Sequence, residues 1–300
     1  MRLEKKATVV STSVAALLVL IKMTVGIFSG SIAVLASAID SLLDLTVSLF
    51  NFFALNNAEK NPDENFNFGR NKIEPLAAVI EGSVISFSAL FILYESLVKI
   101  THPRDMSFMS ESILVMLISL VITIGLVVFL NYVAKKTGNM VIKADALHYK
   151  TDIFSNGAVL IALALISMTG EQLIDPILGI GIAIFMIYSS IPIIKEGILM
   201  LLDAALPEEN IQQIKNILQA SIAKGETNDY HFLQTRESGS HIFISVHIVF
   251  NVSISLYDAH VISDKLELQI KQLFPDKKVH IIIHMDPYDD SEINEIEDEH

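Results

Sequence analysis

Six long apolar runs occupy the first two thirds of the chain. They cover approximately residues 7–28, 32–55, 76–100, 113–133, 153–168 and 174–202, and a polar lead-in from Asp145 precedes the fifth run. A membrane-spanning helix needs roughly 20 mostly apolar residues to cross about 30 Å of hydrocarbon. The pattern therefore predicts an all-α bundle of six transmembrane helices, which we assign to residues 1–205.

The composition agrees with a membrane protein and limits its chemistry. Hydrophobic residues make up 52% of the 300 residues and charged residues 18%, whereas soluble chains carry about 25% charged residues. The chain has no cysteine, so disulfides and thiolate metal sites are excluded and any metal must be bound by His, Asp and Glu. The formal charge of −13 predicts that nucleic acid is not a partner, because phosphate binding requires clustered Lys and Arg.

The distribution of basic residues predicts how the chain is oriented. Lys and Arg accumulate in cytoplasmic loops, and here they precede the first run and fill the connections between runs two and three and between runs four and five. These residues are Arg2, Lys5, Lys6, Lys60, Arg70, Lys72, Lys135, Lys136 and Lys143. The other side carries mainly Lys99 and Arg104. We therefore expect a multi-pass protein with both termini in the cytoplasm.

The remaining residues, 206–291, predict a small cytoplasmic α+β domain. A helix to about Ala223 is followed by strands at 231–237 and 241–249, a second helix at about 256–274 and a third strand at 279–284. Ser238, Gly239 and Ser240 form a short hairpin turn between the first two strands. The αββαβ order places two helices on one face of a small sheet. Residues 292–300 are an acidic tail that we expect to be disordered.

Two pairs of ionisable residues lie in the apolar half at helical spacing. Asp40 and Asp44 stand at i and i+4 in the second run, and His148 and Asp152 have the same spacing at the start of the fifth. Each Asp at a membrane centre costs about 2.5 to 3.5 kcal/mol on insertion scales, and like charges one turn apart repel. If the pairs face each other, one imidazole and three carboxylates form a tetrahedral set for a divalent cation.

Several functions are compatible with such a cluster. Either pair alone fits a structural role, because an Asp near a helix end can be capped and His148 stands near the start of its run. A membrane metalloenzyme is disfavoured, because four protein ligands leave no open position for the water that catalytic zinc keeps. A membrane-anchored metal sensor would not need carboxylates within the membrane. We therefore favour a divalent-cation transporter over these two alternatives.

Together these motifs resemble the cation diffusion facilitator family, most closely its bacterial ferrous-iron/zinc efflux branch of the YiiP type. The matching segments are Asp40-x-x-x-Asp44, His148-x-x-x-Asp152 and Phe68-Gly69-x-x-Lys72-x-Glu74. The resemblance implies a homodimeric metal/proton antiporter in the lipid bilayer of a bacterial inner membrane, without enzymatic activity. It also implies export of Zn²⁺, or of Fe²⁺, Cd²⁺ or Mn²⁺, through Asp40, Asp44, His148 and Asp152.

The resemblance extends to the C-terminal domain. It implies that His231, His247, His260, His284 and Asp286 hold a cytoplasmic metal cluster of two ions. From the residues alone, each of these histidines would be a surface residue, but jointly neutral imidazoles and a carboxylate are a usual cysteine-free zinc set. His284 and Asp286 share a face only if their strand continues to residue 286.

One loop departs from the family pattern. Relatives carry a surface metal site between spans two and three, built from an Asp and two His. Asp63 is present here, but Phe66 and Arg70 replace the two histidines. Phe offers no lone pair and Arg repels a cation. We therefore expect no metal site in this loop.

Overall fold

The computed structural model of the chain describes residues 3–29, 32–101, 110–169, 171 and 173–290. The chain divides into two compact units, one ending at Ile198 and the other beginning at Leu199. The predicted acidic tail, residues 292–300, lies outside the described residues.

The first unit contains the six predicted apolar helices. They are α1 (Leu3–Ser29), α2 (Ile32–Ala58), α3 (Ile73–Thr101), α4 (Ser110–Thr137), α5 (Met140–Thr169) and α6 (Ile174–Leu201). All six are long and apolar enough to cross a membrane. The predicted all-α membrane bundle is therefore confirmed.

The largest difference from the predicted boundaries is at α5. The apolar run begins at residue 153, but the helix begins at Met140, so the whole polar lead-in is helical. Apolarity marks only the part of a helix that faces lipid, whereas a backbone inside a bundle stays helical wherever its hydrogen bonds are satisfied. Asp145, His148 and Asp152 consequently lie on one continuous helix.

Helix packing in the membrane unit brings α2 and α5 together. α1 packs along α2 and also contacts α4, while α5 packs against α4 and α3 and touches α2. The small side chains of Ala54 and Ala77 permit close approach where α2 and α3 meet α5 at Val141. Small residues at helix interfaces are typical of membrane bundles, since they allow backbones to approach. The two helices that carry the ionisable pairs are thus neighbours.

The second unit has the predicted αββαβ order. It consists of α7 (Glu208–Ala223), β1 (Asp229–Ser238), β2 (His241–Val249), α8 (Leu256–Gln272) and β3 (Lys278–Asp286). β1 pairs antiparallel with β2, and β2 pairs parallel with β3. Gly239, in the turn between β1 and β2, has a positive φ of 57°, which glycine adopts without a steric penalty. The predicted α+β domain is confirmed.

The two faces of the sheet have different roles. Ile242, Ile244, Val246 and Ile248 of β2 pack with residues of α7 and α8 in the hydrophobic core. Side chains alternate between the faces of a strand, so His247 lies on the face opposite this core. The histidines are therefore placed at a surface rather than in the packed interior.

Candidate metal centres

Three ionisable side chains of α2 and α5 form a group in the membrane unit. His148 Nε2 lies 3.3 Å from Asp44 Oδ1 and 3.9 Å from Asp152 Oδ2. One ligand atom from each of the three residues lies within 4.8 Å of the others. A cation with ligands at about 2.0–2.2 Å needs neighbouring donor atoms roughly 3 to 3.5 Å apart. The group thus has nearly the spacing of a divalent-cation site, with one nitrogen and two oxygen donors.

Asp40, the predicted fourth ligand, is not part of this group. It precedes Asp44 by four residues, which is about 6 Å along a helix at 1.5 Å per residue, and its side chain is exposed. It shares a helical face with Asp44 but does not approach His148 or Asp152 as closely. The structure therefore brings together three of the four predicted residues.

Lys22 is a buried cation beside these acids, with a role that the sequence alone does not indicate. Its Nζ donates a 2.7 Å hydrogen bond to Ser41 Oγ and a longer one to the carbonyl oxygen of Ser37. Its side chain is only 7% exposed. A buried ammonium must be hydrogen-bonded and balanced by acids, and Asp40, Asp44 and Asp152 all interact with it electrostatically.

The second group lies on the open face of the C-terminal sheet. His231, His247 and His284 stand at one level across the three strands, because His231 pairs with His247 and His247 pairs with His284 in the register. His247 Nδ1 is 3.0 Å from Asp286 Oδ2. His231 Nε2 is 3.6 Å from the same carboxylate oxygen. Strand β3 does continue to Asp286, as a shared face for His284 and Asp286 requires.

A backbone irregularity adjoins His231. The β1–β2 register shifts between His231 and Gln234, and Phe232 has a positive φ of 48°. Such bulges re-aim side chains next to functional sites, and a positive φ in a bulky residue is strained. The strained backbone is consistent with a bulge that orients the His231 side chain.

Two predicted ligands of this cluster, His284 and His260, are not in the compact group of donor atoms. His284 Nε2 is 3.0 Å from Asp286 Oδ1, but its side chain is 62% exposed and it is not within the compact group of donors. His260, on α8, lies 3.7 Å from Asp264, and both side chains are largely exposed. The described residues therefore do not place His260 with the other histidines.

Asp290 joins the cluster although the sequence analysis does not select it. Its Oδ1 is 2.9 Å from His231 Nε2, and it completes a group with His231, His247 and Asp286. Asp289 Oδ1 is 3.6 Å from His231 Nδ1. In the sequence this acidic pair begins three residues after the end of β3, but its position beside the acidic tail is typical of a solvated segment.

In the loop after α2, the carboxylate of Asp63 is paired with Arg70 of the same loop. Arg70 donates a 2.6 Å hydrogen bond to Asp63 Oδ2 and lies over the Phe66 ring at 4.2 Å. Desolvation opposes the shift, but hydrogen bonds from Arg70 and from the backbone N–H groups of Asn65 and Phe66 lower the pKa of Asp63. Asp63 therefore stays ionised and paired with Arg70 down to an acidic pH, and the absence of a metal site in this loop stays a prediction.

We predict that Asp63→Ala leaves metal transport unchanged, because its carboxylate serves an arginine and not a cation. Uptake rates in proteoliposomes and bound metal per chain should both match the wild-type values. Loss of a bound ion in this variant would contradict the prediction. Arg70→Ala, which frees the carboxylate without removing it, is the matched control.

Comparison with known proteins places the chain in a family. A model of the cation efflux transmembrane domain matches residues 8–202, and a model of the cation efflux protein cytoplasmic domain matches residues 206–288. The chain belongs to the cation efflux family. This is a family of transporters and not of enzymes, so both the predicted family and the predicted lack of enzymatic activity are confirmed. The chain is a multi-pass membrane protein.

Individual relatives cover nearly the whole chain. It is 37% identical over 286 residues to proteins named cation-efflux pump FieF from Klebsiella pneumoniae subsp. pneumoniae and from Escherichia fergusonii, with 95% of this chain and 93% of each relative covered. The pump of the same name from Escherichia coli O1:K1 is 36% identical over the same length. A solved structure of a putative zinc transporter, CzrB, in its zinc form is 32% identical over 28% of this chain and 90% of that one, with a TM-score of 0.26.

Proposed function

We propose that this protein exports a divalent metal cation from the cytoplasm in exchange for protons. The single observation that carries the proposal is the group of Asp44, His148 and Asp152 on two neighbouring apolar helices. Ionisable residues within membrane helices are costly and mark ion pathways. The zinc and iron efflux functions implied by the family make Zn²⁺ the first candidate, with Fe²⁺, Cd²⁺ and Mn²⁺ as the others.

The donor set supports transport of a borderline or hard cation. One imidazole nitrogen and two carboxylate oxygens suit Zn²⁺ and also Fe²⁺ and Mn²⁺. We assign Asp40 as the fourth ligand, which a rotation of its side chain or a small shift of α2 would bring to the ion. Until then Asp40 lies near the Lys22 ammonium, which balances its charge.

Proton coupling follows from the chemistry of the ligands. A histidine and carboxylates must lose their protons before they can coordinate a metal, so protons and metal compete for the same atoms. When the site faces the cytoplasm it loads metal, and when it faces the other side protons displace the ion. Rocking of the helices around a fixed site then couples inward proton movement to outward metal movement.

The orientation rests on the loop charges. The basic residues in the connection α2–α3 and at the adjoining ends of α4 and α5 support a cytoplasmic location for both termini under the positive-inside rule. We assign residues 206–291 to the C-terminal domain. This domain would then be exposed to the metal ions of the cytoplasm. The bacterial relatives favour the inner membrane as the location.

The C-terminal cluster is proposed to hold structural or regulatory metal in a homodimer. His231, His247, Asp286 and Asp290 supply two imidazoles and two carboxylates within 4.8 Å, a donor set that fits zinc. His284 adjoins this group through Asp286. His260, which lies apart from the group within one chain, is left as a ligand only for metal held between two chains.

We predict that His247→Ala lowers the number of metal ions bound per chain and the thermal stability in the presence of metal, yet only reduces transport. His247 supplies a donor to the cluster but lies in the unit outside the six spans. Metal analysis and thermal unfolding of the purified chain test this. His241→Ala, on the same face of the same strand, is the control and should retain wild-type metal content. Equal metal content in His247→Ala and the wild type would remove this histidine from the cluster.

Metal uptake by vesicles separates transport from the two alternatives. Proteoliposomes containing the purified chain should accumulate Zn²⁺ at a rate that saturates with external Zn²⁺ and scales with the amount of protein. A metal sensor or a metalloenzyme would bind Zn²⁺ but leave the lumen of the vesicle empty of it. Protein-free vesicles give the background.

A further inference from the structure

A second polar cluster is buried in the membrane unit, toward the C-terminal end of α2. Asn51 Nδ2 lies 3.0 Å from Glu81 Oε2 and 3.4 Å from Asp145 Oδ1, which joins α2, α3 and α5. The exposed fractions of Asn51, Glu81 and Asp145 are 0%, 2% and 0%. The transport site described above uses none of the three.

The acids of the cluster are compensated only in part: His148 of the transport group interacts electrostatically with both, and Ser11 hydrogen-bonds Asp145. Among the described residues, no Lys or Arg forms an ion pair with Glu81 or Asp145. Three buried oxygen atoms, Asn51 Oδ1, Glu81 Oε1 and Asp145 Oδ2, have no hydrogen-bond partner. Buried carboxyl groups in proteins are normally paired, hydrogen-bonded, bound to metal or protonated. The unpartnered oxygens therefore point to a bound cation, either a metal ion or a proton.

The spacing of the donors fits a metal ion. A first-row divalent cation with oxygen ligands at about 2.0–2.2 Å holds neighbouring oxygens roughly 3 to 3.5 Å apart. The Asn51 amide atom nearest the acids lies 3.0 and 3.4 Å from their oxygens. A half-turn of the amide exchanges its nitrogen and oxygen at nearly the same positions. With the oxygen turned inward, Asn51 becomes the third oxygen donor between two carboxylates.

The cluster lies in line with the transport site. Asn51 follows Asp44 by seven residues on α2, about 10 Å along the helix, and Asp145 precedes His148 by three residues on α5, about 4.5 Å. On α2, Ser48 lies between Asp44 and Asn51, and its Oγ forms a 2.7 Å hydrogen bond with Tyr149 OH of α5. α2 and α5 therefore share three polar contacts, Asp44 with His148, Ser48 with Tyr149 and Asn51 with Asp145.

We propose that Asn51, Glu81 and Asp145 form a second divalent-cation site, through which the ion passes between the cytoplasm and the Asp44–His148–Asp152 group. Its position on the cytoplasmic side rests on the orientation given under the proposed function. An all-oxygen donor set is hard and suits Mn²⁺ or Fe²⁺ at least as well as Zn²⁺. Two sites in series let an ion leave one as it enters the other, as in conducting pores.

The number of ions bound per chain tests the proposal. The full-length chain is purified in detergent, freed of metal and dialysed against Mn²⁺ and, separately, against Zn²⁺, and the bound metal is counted. Glu81→Gln with Asp145→Asn should bind one ion fewer than the wild type with at least one of the two metals. Glu196→Gln is the control, because Glu196 pairs with Lys143 on α5 at 2.8 Å with both side chains exposed, and it should bind as many ions as the wild type.

A third variant separates this site from the transport site. Asp152→Asn should also lose one ion, and combining it with the Glu81 and Asp145 changes should lose two. Unchanged metal content in Asp152→Asn would count against the proposed transport site alone. Unchanged metal content with both ions in the Glu81→Gln, Asp145→Asn variant would overturn the second site, and the two acids would then hold only protons or serve packing.

A gain-of-binding variant covers the case in which the double variant does not fold. Asn51→Asp preserves shape and adds a third carboxylate, so Mn²⁺ should bind about tenfold more tightly at this site, since ligand charge sets affinity. A purely structural cluster would instead be weakened by the added charge without any gain in Mn²⁺ affinity. That result would also overturn the proposal.

Discussion

Transport by Asp152→Ala and by Asp44→Ala is expected to fall by about 100-fold or more, because even residues that only support metal ligands change metal affinity by about 10- to 100-fold. Each substitution removes one of the oxygens that lie beside His148 Nε2. The three remaining ligands, with Asp40 as one of them, cannot complete a tetrahedral set. Initial rates of Zn²⁺ uptake in proteoliposomes measure the loss.

The control for these variants is an acid elsewhere in the same unit. Glu196→Ala removes a carboxylate that pairs with Lys143, with both side chains exposed, and it should transport at the wild-type rate. Size-exclusion profiles and helix content should be unchanged in all three variants, because polar residues at a site contribute little to packing. Wild-type uptake by Asp152→Ala would remove the intramembrane group from the mechanism.

Replacement of His148 by Asp is expected to change which metal is preferred. The variant has an all-carboxylate set, and oxygen donors favour Mn²⁺ or Fe²⁺ over Zn²⁺ more than imidazole does. A shift of about tenfold in relative preference corresponds to about 1.4 kcal/mol. This is a small free-energy change for the exchange of one of the four proposed ligands. Competition between Zn²⁺ and Mn²⁺ for uptake at one fixed pH measures this ratio.

The same measurement on His247→Asp provides a matched comparison. This residue lies in the C-terminal cluster and not in the transport group, so its replacement should leave the uptake ratio at the wild-type value. An unchanged ratio in His148→Asp as well would mean that His148 does not touch the transported ion.

The fold could be predicted from hydropathy and charge, but helix ends and cluster membership could not. Long apolar runs require spanning helices, and alternating strands in the tail require a sheet with one buried face. Asp145 lies in a polar stretch of the sequence. That this stretch belongs to a helix beginning at Met140 depends on its burial against neighbouring helices. Apolarity alone carries no information about such contacts.

Candidate ligands could be selected by residue type and spacing, but not their distances. Helical spacing places Asp40 as favourably as Asp44, and only the packing of α2 against α5 distinguishes them. Glu81 and Asn51 could not be selected from the sequence, since each is a lone polar residue on its own helix. Only the packing of the helices places Asn51 beside both Glu81 and Asp145. Asp290 could not be identified as a ligand from the sequence, because it lies beside the acidic tail and is typical there of a solvated residue.

The most direct test of the central claim is the response of zinc transport to a proton gradient. Proteoliposomes are loaded at acidic pH and placed in neutral buffer containing Zn²⁺, so that protons leave as metal enters. We predict accumulation of Zn²⁺ above the external concentration, with collapse when an ionophore dissipates the gradient, and no accumulation in Asp152→Ala. Zn²⁺ entry that ignores the gradient, or that persists in Asp152→Ala, would contradict this prediction.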